Sequence, residues 1–321
     1  MTVRLLTSGL LTTVQDIGRE GWRHLGVAHC GVLDSISATL ANRLVGNSDD
    51  AAVLELTLQG PTLQLDEPVR IALCGAVVSA QFETAQGASF ALHGGRPVEL
   101  PSGTLRLGAT HGGARTWLAF AGSIDVPQVL SSRSTDLRGG FGGLEGRALR
   151  AGDTLTLRDP PALECEQPRM PAWWIDPTAE APGTPIRYVP ASHPAAARLS
   201  NCAWQVSSRS NRQGLRLEGE AIASADEEQI SAAVAPGTVQ LPPDGRPIVL
   251  LADAQTVGGY PRLGHVVAAD LPRLAQLRPG EAMRFQPCDP QTATRLACAA
   301  RARVARIALM IDHQFARGNL G

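Results

Sequence analysis

"LRAGDTLTL", Leu149–Leu157, returns later in the chain as "LRPGEAMRF", Leu277–Phe285. Both copies read Leu-Arg-x-Gly-acid and then alternate side chains, as a strand with one buried face does. Each also follows a glycine pair and an aromatic, Gly139-Gly140-Phe141 in the first copy and Gly258-Gly259-Tyr260 in the second, where a short helix intervenes. Self-similarity of this kind points to a duplicated unit. Because the repeated element is a strand, the expected fold is mainly β: two tandem β-barrel domains with a few short helices.

Composition agrees. The chain has 321 residues, 44% hydrophobic and 18% charged, with 33 glycines and 23 prolines. That suits a globular, turn-rich β protein with room for two cores. A net charge of −1, without any block of basic residues, gives no electrostatic footprint for nucleic acid or a membrane surface. No apolar run approaches the ~20 residues of a membrane span, and the N-terminus does not read as a signal peptide. The six cysteines form no Cys-x-x-Cys pair and the seven histidines are scattered. Reduced thiols in the cytoplasm and no metal site are therefore expected.

Arg158–Pro185 is rich in proline and poor in periodicity, so it neither continues a helix nor joins a central strand. It divides the chain into an N-terminal domain over 1–158, a linker over 159–185, a C-terminal domain over 186–288 and a helical tail over 289–321. Trp173 and Trp174 are expected to pack the linker onto a domain. Pro68–Ala76 and Arg246–Ala254 read as buried strands. A helix is expected from Asp34 or Ser35, with Ile36, Leu40 and Leu44 on one face and a stop at Gly46. Leu271, Leu274 and Leu277 mark a short second helix, and Asp289-Pro290 opens an alanine-rich third.

Four stretches could carry chemistry. Thr13–Gly26 groups Gln15, Asp16 and Arg19 around Gly18 and Gly21, where a guanidinium can hold a carboxylate or phosphate; the same residues also read as a turn bonded to its own Asp. Ser131–Arg147 sets Arg133, Ser134 and Thr135 ahead of a glycine-rich run whose amides can form an anion nest. It matches neither the Walker loop nor G-x-G-x-x-G, and a long surface loop remains the other reading. Val206–Gly219 packs Asn211 and Arg212 into a donor patch or a turn. Leu250–Pro261 delivers Asp253 and Gln255 at the end of an apolar run, followed by Thr256, Gly258, Gly259 and Tyr260; it is a strand end or the rim of a site. No nucleophile elbow, S-x-x-K or H-E-x-x-H motif occurs.

Together these stretches, with "GVLDSISATLANRLVGN" and "LELTLQGPTL", resemble the C subunit of bacterial ATP-dependent 5-oxoprolinase, a family also called KipA-like, biotin-dependent carboxyltransferase-like or allophanate hydrolase subunit 2-like. The second half of the urea carboxylase carboxyltransferase domain is similar. The blocks run from near residue 9 to about residue 285 in the family's order. The resemblance implies a pair of cyclophilin-like β-barrels. It implies a cytoplasmic hetero-oligomer with a KipI-like B subunit and the 5-oxoprolinase A subunit. The assembled complex would use ATP to open 5-oxo-L-proline to L-glutamate. This chain alone would be inactive. The relatives imply two alternatives: a KipA-type regulator that binds a KipI-like kinase inhibitor, or a carboxyltransferase subunit that acts on urea or another amide. The absence of a Met-Lys-Met sequence argues against covalent biotin on this chain. Every version has a small amide-like substrate. Its carbonyl needs donors and its N–H groups need acceptors. Asp253, Gln255 and Asp16 are the candidate catalytic groups. Arg19, Arg133, Ser134, Thr135, Asn211, Arg212, Thr256, Gly258, Gly259 and Tyr260 are the candidate binding groups.

Overall fold

Strand pairing organises the described residues into two large sheets, one of nine strands and one of eight, and a small two-stranded one. The computed structural model describes residues 1–176, 183–223 and 230–318. Two compact units result: Met1–Gly18 with Asp34–Pro177 and Val304–Gly321, and Arg19–Leu33 with Thr178–Arg303. Each unit is discontinuous in sequence, because Arg19–Leu33 leaves the first and folds with the second.

The first unit contains β1 (Thr2–Thr7), β2 (Leu11–Gln15), β3 (Val53–Thr57), β4 (Thr62–Leu65), β5 (Val69–Thr84), β6 (Ser89–Leu92), β7 (Pro97–Leu100), β8 (Gly103–Phe120) and β9 (Thr154–Thr156), with helix α1 (Ser35–Val45). The strands form one nine-stranded half-barrel, ordered β2-β3-β8-β4-β1-β9, with β5, β6 and β7 extending it beside β8. Its spine is the long antiparallel pair of β5 and β8, running from Ile71 opposite Phe120 to Thr84 opposite Gly103. Irregularities between Gly75 and Val77 and between Val78 and Ala80 bend this pair, which is how a sheet curls toward closure. Alternate residues of the strands, among them Leu54, Leu56, Ile71, Phe82, Leu105, Leu118 and Phe120, fill the interior. Helix α1 forms as its local signals dictate. The Asp34 carboxylate caps the Ser37 amide at 2.9 Å, Leu40 and Leu44 are buried, and Gly46 ends the helix at φ +86°.

The second unit contains β10 (Ile186–Pro190), β11 (Trp204–Val206), β12 (Gly214–Glu218), β13 (Ala232–Ala233), β14 (Thr238–Gln240), β15 (Ile248–Leu250), β16 (Val257–Gly258), β17 (Arg262–Val266), β18 (Ala282–Met283) and β19 (Phe285–Pro287). Eight of them make a nearly closed barrel, ordered β18-β11-β12-β15-β14-β17-β10-β19, while β13 and β16 pair apart. Helices α2 (Arg198–Asn201) and α3 (Leu271–Leu274) are single turns, and α4 (Pro290–Ala316) is long. Tyr188 and Trp204 are fully buried in this unit. Their polar ends are satisfied by the Ala196 and Leu199 carbonyls at 3.0 and 2.9 Å, as buried Tyr and Trp require.

The two repeat copies occupy related but unequal places. β9 pairs antiparallel with β1, the first strand of its unit. In the second copy the strand splits at Arg284: β18 joins β11, and β19 pairs parallel with β10. The expected buried strand Arg246–Ala254 is also shorter than its apolar run, since β15 stops at Leu250. Beyond it the Leu251 amide bonds Gln213 and the Ala254 amide turns back to Leu251. Trp173 is half-buried, whereas Trp174 is largely exposed, so the second of the pair does not pack as expected.

Candidate functional site

In the second unit, the chain leaving β15 is buried through Ala254. Asp253, only 4% exposed, meets Arg212 in a two-pronged ion pair: Arg212 Nε donates to Oδ2 and Nη2 to Oδ1, both at 2.9 Å. The same Nη2 donates to the Gly31 carbonyl, and the Cys30 amide bonds Ala252. A planar guanidinium fork matches a carboxylate in this way. The pair therefore ties Arg19–Leu33 to the end of β15. Asn211 closes the adjoining turn, its Oδ1 accepting from the Gln213 amide at 2.8 Å.

Gln255 is the next polar residue and is half-buried. Its Nε2 donates to Gln240 Oε1 at 3.4 Å. Gln240, on β14, is 2% exposed and its Nε2 is buried without a hydrogen bond. Gly258 lies against that amide: a Cβ there would stand 2.5 Å from Gln240 Nε2. The Thr256 carbonyl accepts from the Val234 amide at 3.0 Å, and the Val234 carbonyl accepts from Arg23 Nη2. Gly259 is half-buried, and Tyr260 is 46% exposed. Arg19 is fully buried, with its amide on His29.

In the first unit, Asp16 is 5% exposed. Its Oδ1 accepts from the Ser132 and Ser134 hydroxyls and the Gly18 amide, and its Oδ2 from the Arg133 amide. Thr135 bonds the Val14 carbonyl through both its amide and its hydroxyl, at 3.0 and 2.9 Å. These contacts bind β2 to the start of the glycine-rich stretch. The stretch itself is built from left-handed residues: Leu130, Ser131 and Glu145 share positive φ with Gly140, Gly142, Gly143 and Gly146. At Gly143 the requirement is also steric, since a Cβ would lie 2.0 Å from Thr135 Oγ1. Arg147 is held by Asp153 at 2.7 Å and by Glu145 at 2.7 Å. That pairing holds Asp153 below the usual carboxylate range, the Arg147 hydrogen bond being the largest cause. Arg133 differs: its side chain is half-buried, its Nε has no hydrogen bond, and no carboxylate pairs with it among the described residues.

The structure thus gathers Asp253 with Arg212, and Asp16 with Ser134, Arg133 and Thr135. It places Gln255 beside Gln240, sets Gly258 against the Gln240 amide, and links Thr256 to Arg23 through Val234. Sequence reasoning passed over Arg23, Gln240 and Ser132, and grouped Gln15 with Asp16 and Arg19 without giving it a role. A signal existed for the two glutamines. Each stands at a buried strand position where an apolar side chain is the ordinary choice, and Gln15 Oε1, like Gln240 Nε2, is buried without a partner. Arg23 sits in an exposed-looking turn and gave no local signal. Among the described residues no group of His, Cys, Asp or Glu could hold a metal ion, and no helix is long and apolar enough to cross a membrane.

Comparison with known proteins gives one family. Residues 25–287 match the family model "Carboxyltransferase domain, subdomain A and B". The chain is 39% identical to the 5-oxoprolinase C subunit of Escherichia coli (strain K12), over 91% of this chain and 93% of that protein. The crystal structure of TTHA0988 superposes with a TM-score of 0.77 at 36% identity, covering 89% of this chain and 55% of that one. The crystal structure of the Kluyveromyces lactis urea carboxylase superposes with a TM-score of 0.83 at 29% identity, covering 94% of this chain and 29% of that one. The chain spans about half the length of the first of these structures and under a third of the second.

Proposed function

Because the chain belongs to the carboxyltransferase-domain family, among the 5-oxoprolinase C subunits, we propose that it is the C subunit of an ATP-dependent 5-oxoprolinase. The reaction consumes 5-oxo-L-proline, ATP and two waters and yields L-glutamate, ADP and phosphate. The observation that carries this reading is the likeness to the Escherichia coli protein along nearly the full length of both chains.

The geometry supports an amide substrate at the Gln255–Thr256 edge. Gln255 offers an acceptor oxygen for a lactam N–H. A backbone N–H donor such as that of Gly259 suits the carbonyl, where charge develops as the ring opens. Asp253 and Asp16 are assigned as positioning residues in this proposal. Asp253 accepts on both oxygens from Arg212, and Asp16 from four donors, so neither is poised to take a substrate proton. Separately, the glycine-rich stretch with Arg133 has the chemistry to hold a phosphate-bearing ligand such as ATP. The chain contains no lysine, so a biotinyl group has no attachment point on it. The complex we propose contains a KipI-like B subunit and the 5-oxoprolinase A subunit, and resides in the cytoplasm.

The test is reconstitution of the chain with the B and A subunits, ATP and 5-oxoproline, followed by glutamate measurement. Glutamate above the A-only and A-plus-B controls is expected, and its absence sinks the reading. The likeness to urea carboxylase favours a second reading, carboxyl transfer to a urea-like amide. A requirement for urea and carboxybiotin would select it. Capture of the B subunit without any turnover would select a purely regulatory, KipA-type role.

A further inference from the structure

Among the described residues, Arg23 is a cation without an anion. It lies at the start of a single 3-10 turn, Arg23–Leu25, and its side chain is half-buried. Its guanidinium donates to the Val234 carbonyl through Nη2, while Nη1 is buried with no hydrogen bond. No carboxylate pairs with it among the described residues, in contrast to Arg70, Arg147, Arg187 and Arg212, each of which has an acidic partner. Burial alone moves its pKa down, which is what desolvation without a counter-charge does.

The surroundings are specific. Val234, which Arg23 touches, is bonded to Thr256. Gln255, the neighbour of Thr256, is bonded to Gln240, whose Nε2 is a second buried donor lacking an acceptor. Two orphaned donors, one of them charged, are therefore linked through Val234 and the Gln255–Thr256 backbone. A protein rarely leaves buried donors unmade. What would satisfy both is an acceptor with negative charge, and a carboxylate is the acceptor a guanidinium fits best.

We propose that Arg23, with the Gln240–Gln255 amide pair, forms a subsite for the carboxylate of the substrate. The inference deepens the reading of the Gln255–Thr256 edge as the amide-handling site and rests on it. It makes Arg23 the residue that sets substrate class: a cyclic amide bearing a carboxylate is accepted, and a neutral amide such as urea or 2-pyrrolidinone is not.

The test measures binding of 5-oxoproline, 2-pyrrolidinone and urea to the full chain by titration calorimetry, and KM for 5-oxoproline in the assembled complex. The variants are Arg23→Gln, Arg23→Lys and, as a control on α4, Arg301→Gln. The wild type should bind 5-oxoproline at least tenfold more tightly than 2-pyrrolidinone. Arg23→Gln should abolish that preference, Arg23→Lys should keep part of it, and Arg301→Gln should keep it whole. A wild type with no preference, including one that binds neither lactam, overturns the subsite. So does an Arg23→Gln protein of native thermal stability that keeps the preference. If Arg23→Gln is unfolded, Arg23→Lys decides: an undiminished preference supports a cation site, and a preference lost in the folded Lys variant overturns the role of a simple charge beside the amide pair. A complex that makes no glutamate although the wild-type chain prefers the carboxylate overturns the activity and leaves the subsite standing. A complex that makes glutamate with the same KM in wild type and Arg23→Gln does the reverse.

Discussion

Arg212 engages both oxygens of Asp253, at 2.9 Å each, with the two side chains only 3% and 4% exposed. Removing one partner of such a pair strands a buried charge, which costs roughly 3–5 kcal/mol. Asp253→Asn should therefore lower the melting temperature by on the order of 10 °C, measured by differential scanning calorimetry, before any effect on turnover is considered. A melting temperature equal to wild type would mean that the pair contributes nothing to the second unit.

Gln255 makes one long hydrogen bond and is half-buried. Its loss should leave the fold intact. Gln255→Ala is expected to reduce glutamate formation by the reconstituted complex at least tenfold, about 1.4 kcal/mol in barrier, with thermal stability unchanged. Full turnover in this variant would move the amide site elsewhere.

Asp16 holds the glycine-rich stretch through two hydroxyls and the Arg133 amide. Hydrogen bonds to a charged group contribute roughly 1.5–3 kcal/mol each. Asp16→Ala should speed amide hydrogen exchange over residues 131–147 by more than tenfold, while Ser132→Ala alone should have a smaller effect because the other donors persist. Equal exchange in all three proteins would contradict this role.

Acid should release the far end of the same stretch. Asp153 has a folded-state pKa below its ordinary value, chiefly through Arg147. The stability it contributes is complete above the ordinary value of about 3.9 and is lost as pH falls through the lower folded value. Limited proteolysis with pepsin across pH 5 to 2 should show cleavage near Arg147 rising only in the lower part of that range. Asp153→Asn should be cleaved at the higher pH values too.

The cysteines should separate by reactivity. Burial, with the Asp34 charge adding to it, pushes the Cys74 thiol up to about 12, so almost none is thiolate near neutrality. Cys298 is exposed on α4. Iodoacetamide at pH 8 should label Cys298 within minutes and leave Cys74 unmodified in the folded protein, as read by peptide mass spectrometry.

Local signals made much of the fold legible. The Asp34 cap, the Leu40 and Leu44 stripe and Gly46 define α1 within a residue of its observed ends, because capping and periodicity act over a few residues. Apolar runs were less informative: Arg246–Ala254 reads as one strand, yet burial of Leu251 and Ala254 is achieved in a turn. At the candidate site, sequence identified Asp253 and Arg212 without showing that they bind each other, since 41 residues separate them. Arg23 left no trace in the sequence because what distinguishes it is a missing partner, and that depends on which groups the fold brings near.

The excursion of Arg19–Leu33 into the second unit sets a timetable for synthesis. The Gly31 carbonyl waits for Arg212, made 181 residues later. At ribosomal rates of about 5–20 residues per second, that wait is roughly 10–35 seconds. Throughout it, a segment bearing Trp22, Arg23 and Leu25 has been made but cannot dock. A chaperone or a slowed ribosome acting on this nascent chain would have its effect in that window, and a chain released before Arg212 would carry the first segment of a barrel it can never complete.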